Sequence, residues 1–249
     1  MGNFMVAVYL KLMDGLIDSF PHRQTRKQHI LENMLFMSEI NTKNCFIINK
    51  IFNTDDEFKL NLHVGDTLSL DSSSFWGVKI FDVIIGNPPY NNGGIKSHTG
   101  HHLNKSGTKN TTVWPKFVEF SFDHLNDDGF LVFIHPLSWL KSTHSLHKRM
   151  LSKHIHWLKL WDNIKSRSTI NGKIPISIYV LQNSINVNHY TTDIYSDFQS
   201  KNISTHSNQY IDHHLSVPLA FHSIFNKVLR FIDAHNLHLS FYIKTVKSS

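Results

Sequence analysis

Phe81-Asp82-Val83-Ile84-Ile85-Gly86-Asn87-Pro88-Pro89-Tyr90 is the stretch that decides the reading of this chain. Its first half is a Val/Ile run closed by a glycine, the pattern of a strand covered on both faces. Its second half follows directly, so in a doubly wound sheet it lies beyond the strand's carboxyl end, where ligands bind. Two prolines fix the backbone and remove two N–H donors, which leaves carbonyls free to face a pocket. The Asn87 side-chain oxygen and the Pro88 carbonyl can together hold both hydrogens of a planar amine and draw its lone pair out of conjugation. That geometry suits attack on a sulfonium methyl without a strong general base. Tyr90 offers an aromatic face to the ring bearing the amine. A bare Asn-Pro-Pro would read as a rigid turn; the buried strand and Tyr90 favour the catalytic reading.

The pattern continues on both sides. Upstream, Phe4, Val8, Leu12 and Leu16 recur at helical spacing, which predicts a helix over 3–20 ended by Pro21. An apolar segment over 34–40 ends in acid at Glu39, and residues 41–52 predict a helix capped by Asn41 or Thr42. Residues 60–64 alternate weakly and stop at Gly65-Asp66. Downstream, 113–125 is helical, and 130–134, 155–161 and 174–181 read as strands. Strands alternating with helices indicate an α/β fold with a parallel, doubly wound sheet. Residues 91–112 form a long polar loop, and beyond about residue 183 the alternation fades, with 217–235 suggesting a helix.

Composition narrows the class. The chain has 249 residues, 41% of them hydrophobic, enough for a full core, and 25 basic against 19 acidic side chains give a charge of +6. This balance allows a polyanionic partner without proving one. A single cysteine, Cys45, excludes a disulfide framework and a thiolate zinc site within one chain. Nineteen histidines are scattered without the Cys or carboxylate spacing of a metal centre, so no metal is expected. The longest uncharged run, 174–192, carries Gln182, Asn183, Asn186 and Asn188 and is too polar to span a bilayer. A soluble, cytoplasmic protein with no membrane partner is expected.

The tetrapeptide Asn87-Pro88-Pro89-Tyr90 resembles the catalytic motif of the adenine-specific DNA methyltransferases, particularly the larger type II restriction–modification methylases. Further matches follow in order. Gly2-Asn3-Phe4 before a helix resembles the tail of that family's S-adenosylmethionine motif. Glu39 occupies the place of the acid that holds the cofactor's ribose hydroxyls. His63-Val64-Gly65-Asp66 resembles the motif whose Asp meets the cofactor's adenine amine. Residues 129–136 and 174–181 are similar to later core strands. By themselves, Glu39 reads equally as a solvated strand edge and Asp66 as an ordinary turn residue; their order alongside the tetrapeptide raises both.

The resemblance implies a Rossmann-like S-adenosylmethionine-dependent sheet over 1–185, followed by the start of a target-recognition or C-terminal extension over 186–249. It implies methyl transfer to the exocyclic amine of a flipped adenine in double-stranded DNA. Asn87, Pro88, Pro89 and Tyr90 would be catalytic; Gly2, Asn3, Phe4, Glu39 and Asp66 would bind the cofactor. The first strand of such a sheet and most of its glycine loop have no counterpart after Met1, so the sheet is expected to lack a central strand, and a chain supplying that N-terminal segment is an expected partner. Two alternatives stay open: methylation of a protein glutamine or an RNA base, and an inactive nucleic-acid-binding fragment.

Overall fold

A computed structural model of the protein describes residues 3–91, 112–161, 175–185, 190–198, 203–209 and 211. They belong to two compact units, one of residues 1–134 with 182–184, the other of 135–181 with 185–249.

The first unit begins with α1 (Asn3–Gly15), which stops short of the expected residue 20 and runs on as a turn in which the Phe20 N–H donates to the Leu16 carbonyl at 2.8 Å. The chain reverses into α2 (Arg23–His29) because the buried Arg26 donates from Nη1 to the Phe20 carbonyl at 2.6 Å. A π-helical turn over Ile30–Met34 leads into β1 (Phe36–Glu39). Asn41 caps the next helix, α3 (Thr42–Phe52), by accepting the Lys43 N–H at 2.9 Å, as expected of a side chain that satisfies an orphan donor. β2 (Asn61–Val64) then pairs parallel to β1, Phe36 opposite Asn61 and Glu39 opposite Val64. Ile30, Leu31, Leu35, Met37, Ile48 and Phe52 close the core between these elements, and one face of α1 packs on it through Met13, Tyr9 and Leu12. Each fully buried side chain of this kind contributes about 1.5–3 kcal/mol.

The rest of the unit is α4 (Ser72–Trp76), β3 (Phe81–Gly86), α5 (Trp114–Asp123) and β4 (Leu125–Pro136). β3 and β4 are parallel, with Ile84 opposite Leu131 and Gly86 opposite Phe133. Trp114, Val118 and Phe122 of α5 are buried, the i, i+4, i+8 stripe of a core-facing helix. Here one expectation is corrected. β3 is not covered on both faces: Val83 is 57% and Ile85 39% exposed. The cause is topological. β1 and β2 form a two-stranded sheet of their own, and β3 ends the other sheet, so among the described residues no strand pairs with its outer edge. Phe36 and Phe81, at the starts of β1 and β3, meet edge-to-face at 5.5 Å, and Trp76 touches both rings.

The second unit contains α6 (His147–Leu151), β5 (Lys153–Trp161), most of β6 (Ile176–Ile185), β7 (Thr192–Phe198) and β8 (Ile203–Gln209), the strands in the order β6-β5-β7-β8. β5 and β7 are parallel and β7 and β8 antiparallel, so the sheet is mixed, and two strands lie beyond the point where the sequence pattern fades. The helix expected over 217–235 lies outside the described residues. The core of this unit holds polar groups. Trp139 Nε1 donates to Ser177 Oγ at 2.8 Å, and His135 Nε2 lies 2.9 Å from the Tyr179 hydroxyl, all four residues being buried. Among the described residues no helix is long and apolar enough to cross a membrane.

Candidate functional site at the strand ends

Within the first unit, the residues singled out by the sequence fall at the carboxyl ends of β1, β2 and β3. Glu39 ends β1. Its Oε1 accepts the Asn41 N–H and its Oε2 the Asn44 side-chain amide, each at 2.9 Å. The carboxylate is therefore held in one orientation by the first turn of α3, and each oxygen keeps a lone pair for a further donor. The Gly65 N–H donates to the Glu39 carbonyl at 3.1 Å, which ties the end of β2 to the end of β1 and places Asp66 beside them. Asp66 Oδ1 accepts the Leu68 N–H at 3.0 Å and caps the short turn Thr67–Ser69. Its second oxygen has no partner among the described residues. Asp66 is thus a turn residue, as its bland reading had it, while Glu39 is tied to the first turn of α3 rather than left as a merely solvated edge; acceptor capacity remains on both.

Sequence reasoning missed what supports them. Asn44 is legible only as a residue in the first turn of a helix, yet it fixes the Glu39 carboxylate. Ser38 Oγ lies 3.0 Å from His63 Nδ1 and 2.9 Å from Thr67 Oγ1, linking β1, β2 and the turn after Asp66. No spacing rule announces that contact, because the three residues meet only once the strands pair.

The tetrapeptide leaves β3 as its sequence requires. Asn87 is exposed, and its side chain makes no hydrogen bond among the described residues; Pro88 is buried and Pro89 exposed. Tyr90 is half-buried, and burial raises its hydroxyl's pKa above the usual tyrosine value, so the ring is a neutral, largely apolar surface. The Tyr90 carbonyl accepts the Val113 N–H at 3.1 Å and Asn91 bridges to Thr112, which sets the end of the tetrapeptide beside the start of α5. A Cβ at Gly86 would lie 3.2 Å from the Phe133 ring, a tight approach that a larger residue would meet only by shifting that ring. The Thr67–Ser69 turn packs against α5, the helix that follows the tetrapeptide's loop. Among the described residues, no hydrogen bond or ring contact joins Asn87 or Tyr90 to Glu39 or Asp66.

The remaining expected cofactor residues are less well placed. Gly2 lies outside the described residues. Asn3 opens α1, and Phe4 in the same turn is 40% exposed. No group of three or more His, Cys, Asp or Glu side chains that could hold a metal ion exists among the described residues.

Parallel strands, intervening helices and a polar site at the strand ends define an α/β domain of the kind found in restriction–modification methyltransferases. Solved structures share that fold. The M protein of the type I restriction enzyme EcoKI matches with a TM-score of 0.51 at 14% identity, over 78% of this chain and 42% of that one. A type I restriction–modification complex matches with a TM-score of 0.51 at 14% identity, over 94% and 45%. DrdV, solved as a DNA complex, matches at 0.50 and 14%, over 77% and 26%. This chain thus spans less than half the length of each. No curated protein matches. The family model described as Eco57I restriction-modification methylase matches residues 7–168, well over half the chain, and the protein belongs to that family.

Proposed function

We propose that this chain is the catalytic part of an adenine-specific DNA methyltransferase of a restriction–modification system. The observation that carries the reading is Asn87-Pro88-Pro89-Tyr90 at the end of β3, with an exposed Asn87 side chain that makes no hydrogen bond among the described residues and a half-buried Tyr90 ring. An adenine flipped from double-stranded DNA would stack on Tyr90, and its amine would donate to the Asn87 side-chain oxygen and the Pro88 carbonyl. Those two acceptors orient the nitrogen lone pair, so catalysis is positioning rather than covalent chemistry. S-adenosylmethionine, when bound, supplies the methyl group on a sulfonium. The donor set fits it: Glu39 has acceptor capacity for ribose hydroxyls, Asp66 has an oxygen with no partner among the described residues for an arylamine, and Gly2, Asn3 and Phe4 would hold the rest of the cofactor.

The edges of β1 and β3 that pair with no strand among the described residues support one partner beyond DNA, a polypeptide segment that adds a strand there. Residues 186–249 would begin the part that reads the target sequence. The mixed sheet edge at β7 and β8 is compatible with either a recognition module or an extension of the catalytic one.

Two measurements test the reading together. Calorimetric titration with S-adenosylmethionine should show binding that Asp66→Ala weakens. Transfer of labelled methyl to duplex DNA, read as N6-methyladenine by mass spectrometry, should fall about 10²-fold or more in Asn87→Ala, the loss typical of removing one preorganised polar contact. Unchanged methylation by Asn87→Ala sinks the proposal.

A further inference from the structure

A groove of about 630 Å³ runs between α1, α2 and α3, on the first unit and apart from the strand ends. Its walls are two apolar stripes at helical spacing. Val6 and Leu10 face it from α1 and Ile51 from α3, with Leu10 55% and Ile51 48% exposed. Ile47, one turn before Ile51 on α3, is 47% exposed and extends that stripe. Tyr9 and Phe52, in edge-to-face contact at 5.3 Å, make the floor. His22, Arg23 and Lys27 form the rim on the α2 side. Arg23 makes no ion pair and the Tyr9 hydroxyl no hydrogen bond among the described residues. Both charges that act on that hydroxyl are cationic, Arg23 and Arg26. A nearby carboxylate, Glu57, is held by Gln24, 3.1 Å away.

From this arrangement we infer that the groove is a docking site for an amphipathic helix of a partner protein, one carrying apolar anchors a turn apart and an acidic side chain that reaches Arg23 and the Tyr9 hydroxyl. Aliphatic side chains at i, i+4 spacing on two helices, with Leu10, Ile47 and Ile51 exposed, are the complement of a helix's apolar face. Arg23, exposed on the rim of an apolar groove whose floor carries the Tyr9 phenol, is the complement of a carboxylate. The chain's own C-terminal stretch does not match: residues 212–249 hold Asp212 and Asp233 against Lys227, Arg230, Lys244 and Lys247. A nucleic-acid backbone matches less well, since phosphates gain nothing from the aliphatic walls.

The test uses the full chain and two synthetic helical peptides, identical in their leucine anchors but flanked by Glu in one and Lys in the other. Fluorescence anisotropy should show the Glu peptide binding and the Lys peptide at least about tenfold weaker. Arg23→Glu should weaken the Glu peptide by about tenfold or more and improve the Lys peptide, while Leu10→Asp abolishes both. Both positions are exposed, and an unchanged melting temperature would show that these variants fold. The inference is overturned if neither peptide binds, if the two bind alike, or if Arg23→Glu leaves the Glu peptide unaffected. It is also overturned if Arg23→Glu reduces affinity for a labelled DNA duplex while the Glu peptide does not bind, which would make this a nucleic-acid face. None of these readings involves Asn87 or Asp66, so they are independent of the methyltransferase proposal.

Discussion

His135 shows how much a single buried side chain sets. Its Nδ1 donates to the Pro136 carbonyl at 2.9 Å, so Nε2 is the acceptor and the Tyr179 hydroxyl donates to it at 2.9 Å. Burial lowers its pKa from 6.5 to about 4. The unfolded chain therefore binds a proton that the folded chain refuses, and stability rises with pH across that window. The contribution is fully present above pH 6.5 and is lost as the pH falls towards 4, about 3 kcal/mol in all. Urea unfolding between pH 7 and pH 4.5 should show that slope, and His135→Gln should flatten it. Tyr179→Phe should cost about 1–3 kcal/mol at pH 7 by orphaning a buried acceptor, again read by urea unfolding. The sequence marks His135-Pro136 only as the exit of a strand; the partner 44 residues away comes from tertiary pairing.

Elements carry the next lesson. The Val/Ile run in β3 predicts a strand correctly, and its burial incorrectly, because a strand's composition reports the sheet it is suited to rather than the neighbours it has. Its pairing with β4 is nonetheless tight. A Cβ on Gly129 would lie 2.9 Å from the Asp82 carbonyl oxygen and 3.0 Å from that of Asn126, both backbone atoms that cannot swing aside. Gly129→Ala should therefore destabilise the chain by about 1–3 kcal/mol, measured as a shift in the unfolding midpoint. β7 and β8 were illegible for a different reason. Thr192–Phe198 carries two acids and Ile203–Gln209 is almost wholly polar, so neither shows the apolar run that announces a covered strand.

At the scale of the molecule, β1 and β3 are edge strands of their two sheets, each with one edge unpaired among the described residues. Exposed ladder groups flanked by Val83 and Ile85 are a template for pairing with another chain. Sedimentation velocity of the isolated chain should show concentration-dependent self-association, and Val83→Lys should suppress it, because an edge lysine opposes strand addition. If the lysine variant associates as strongly as the parent, the edge is not the cause. The same edge is where an added strand would enter, so a segment that pairs there should also suppress the self-association.

The local chemistry of the chain was legible in sequence: the helices α1, α3 and α5, the cap at Asn41, the strand-then-proline junction at Asn87, and the acids at the ends of β1 and β2. These are legible because they depend on residues within a few positions of one another, through side-chain reach and backbone restriction. Three features were decided only by tertiary structure: the Ser38–His63–Thr67 link that ties β1, β2 and the turn after Asp66, the exposure of β3, and the groove that joins three helices. Each depends on which surfaces meet across tens of residues, and burial, unlike helical spacing, has no period that a one-dimensional pattern can show.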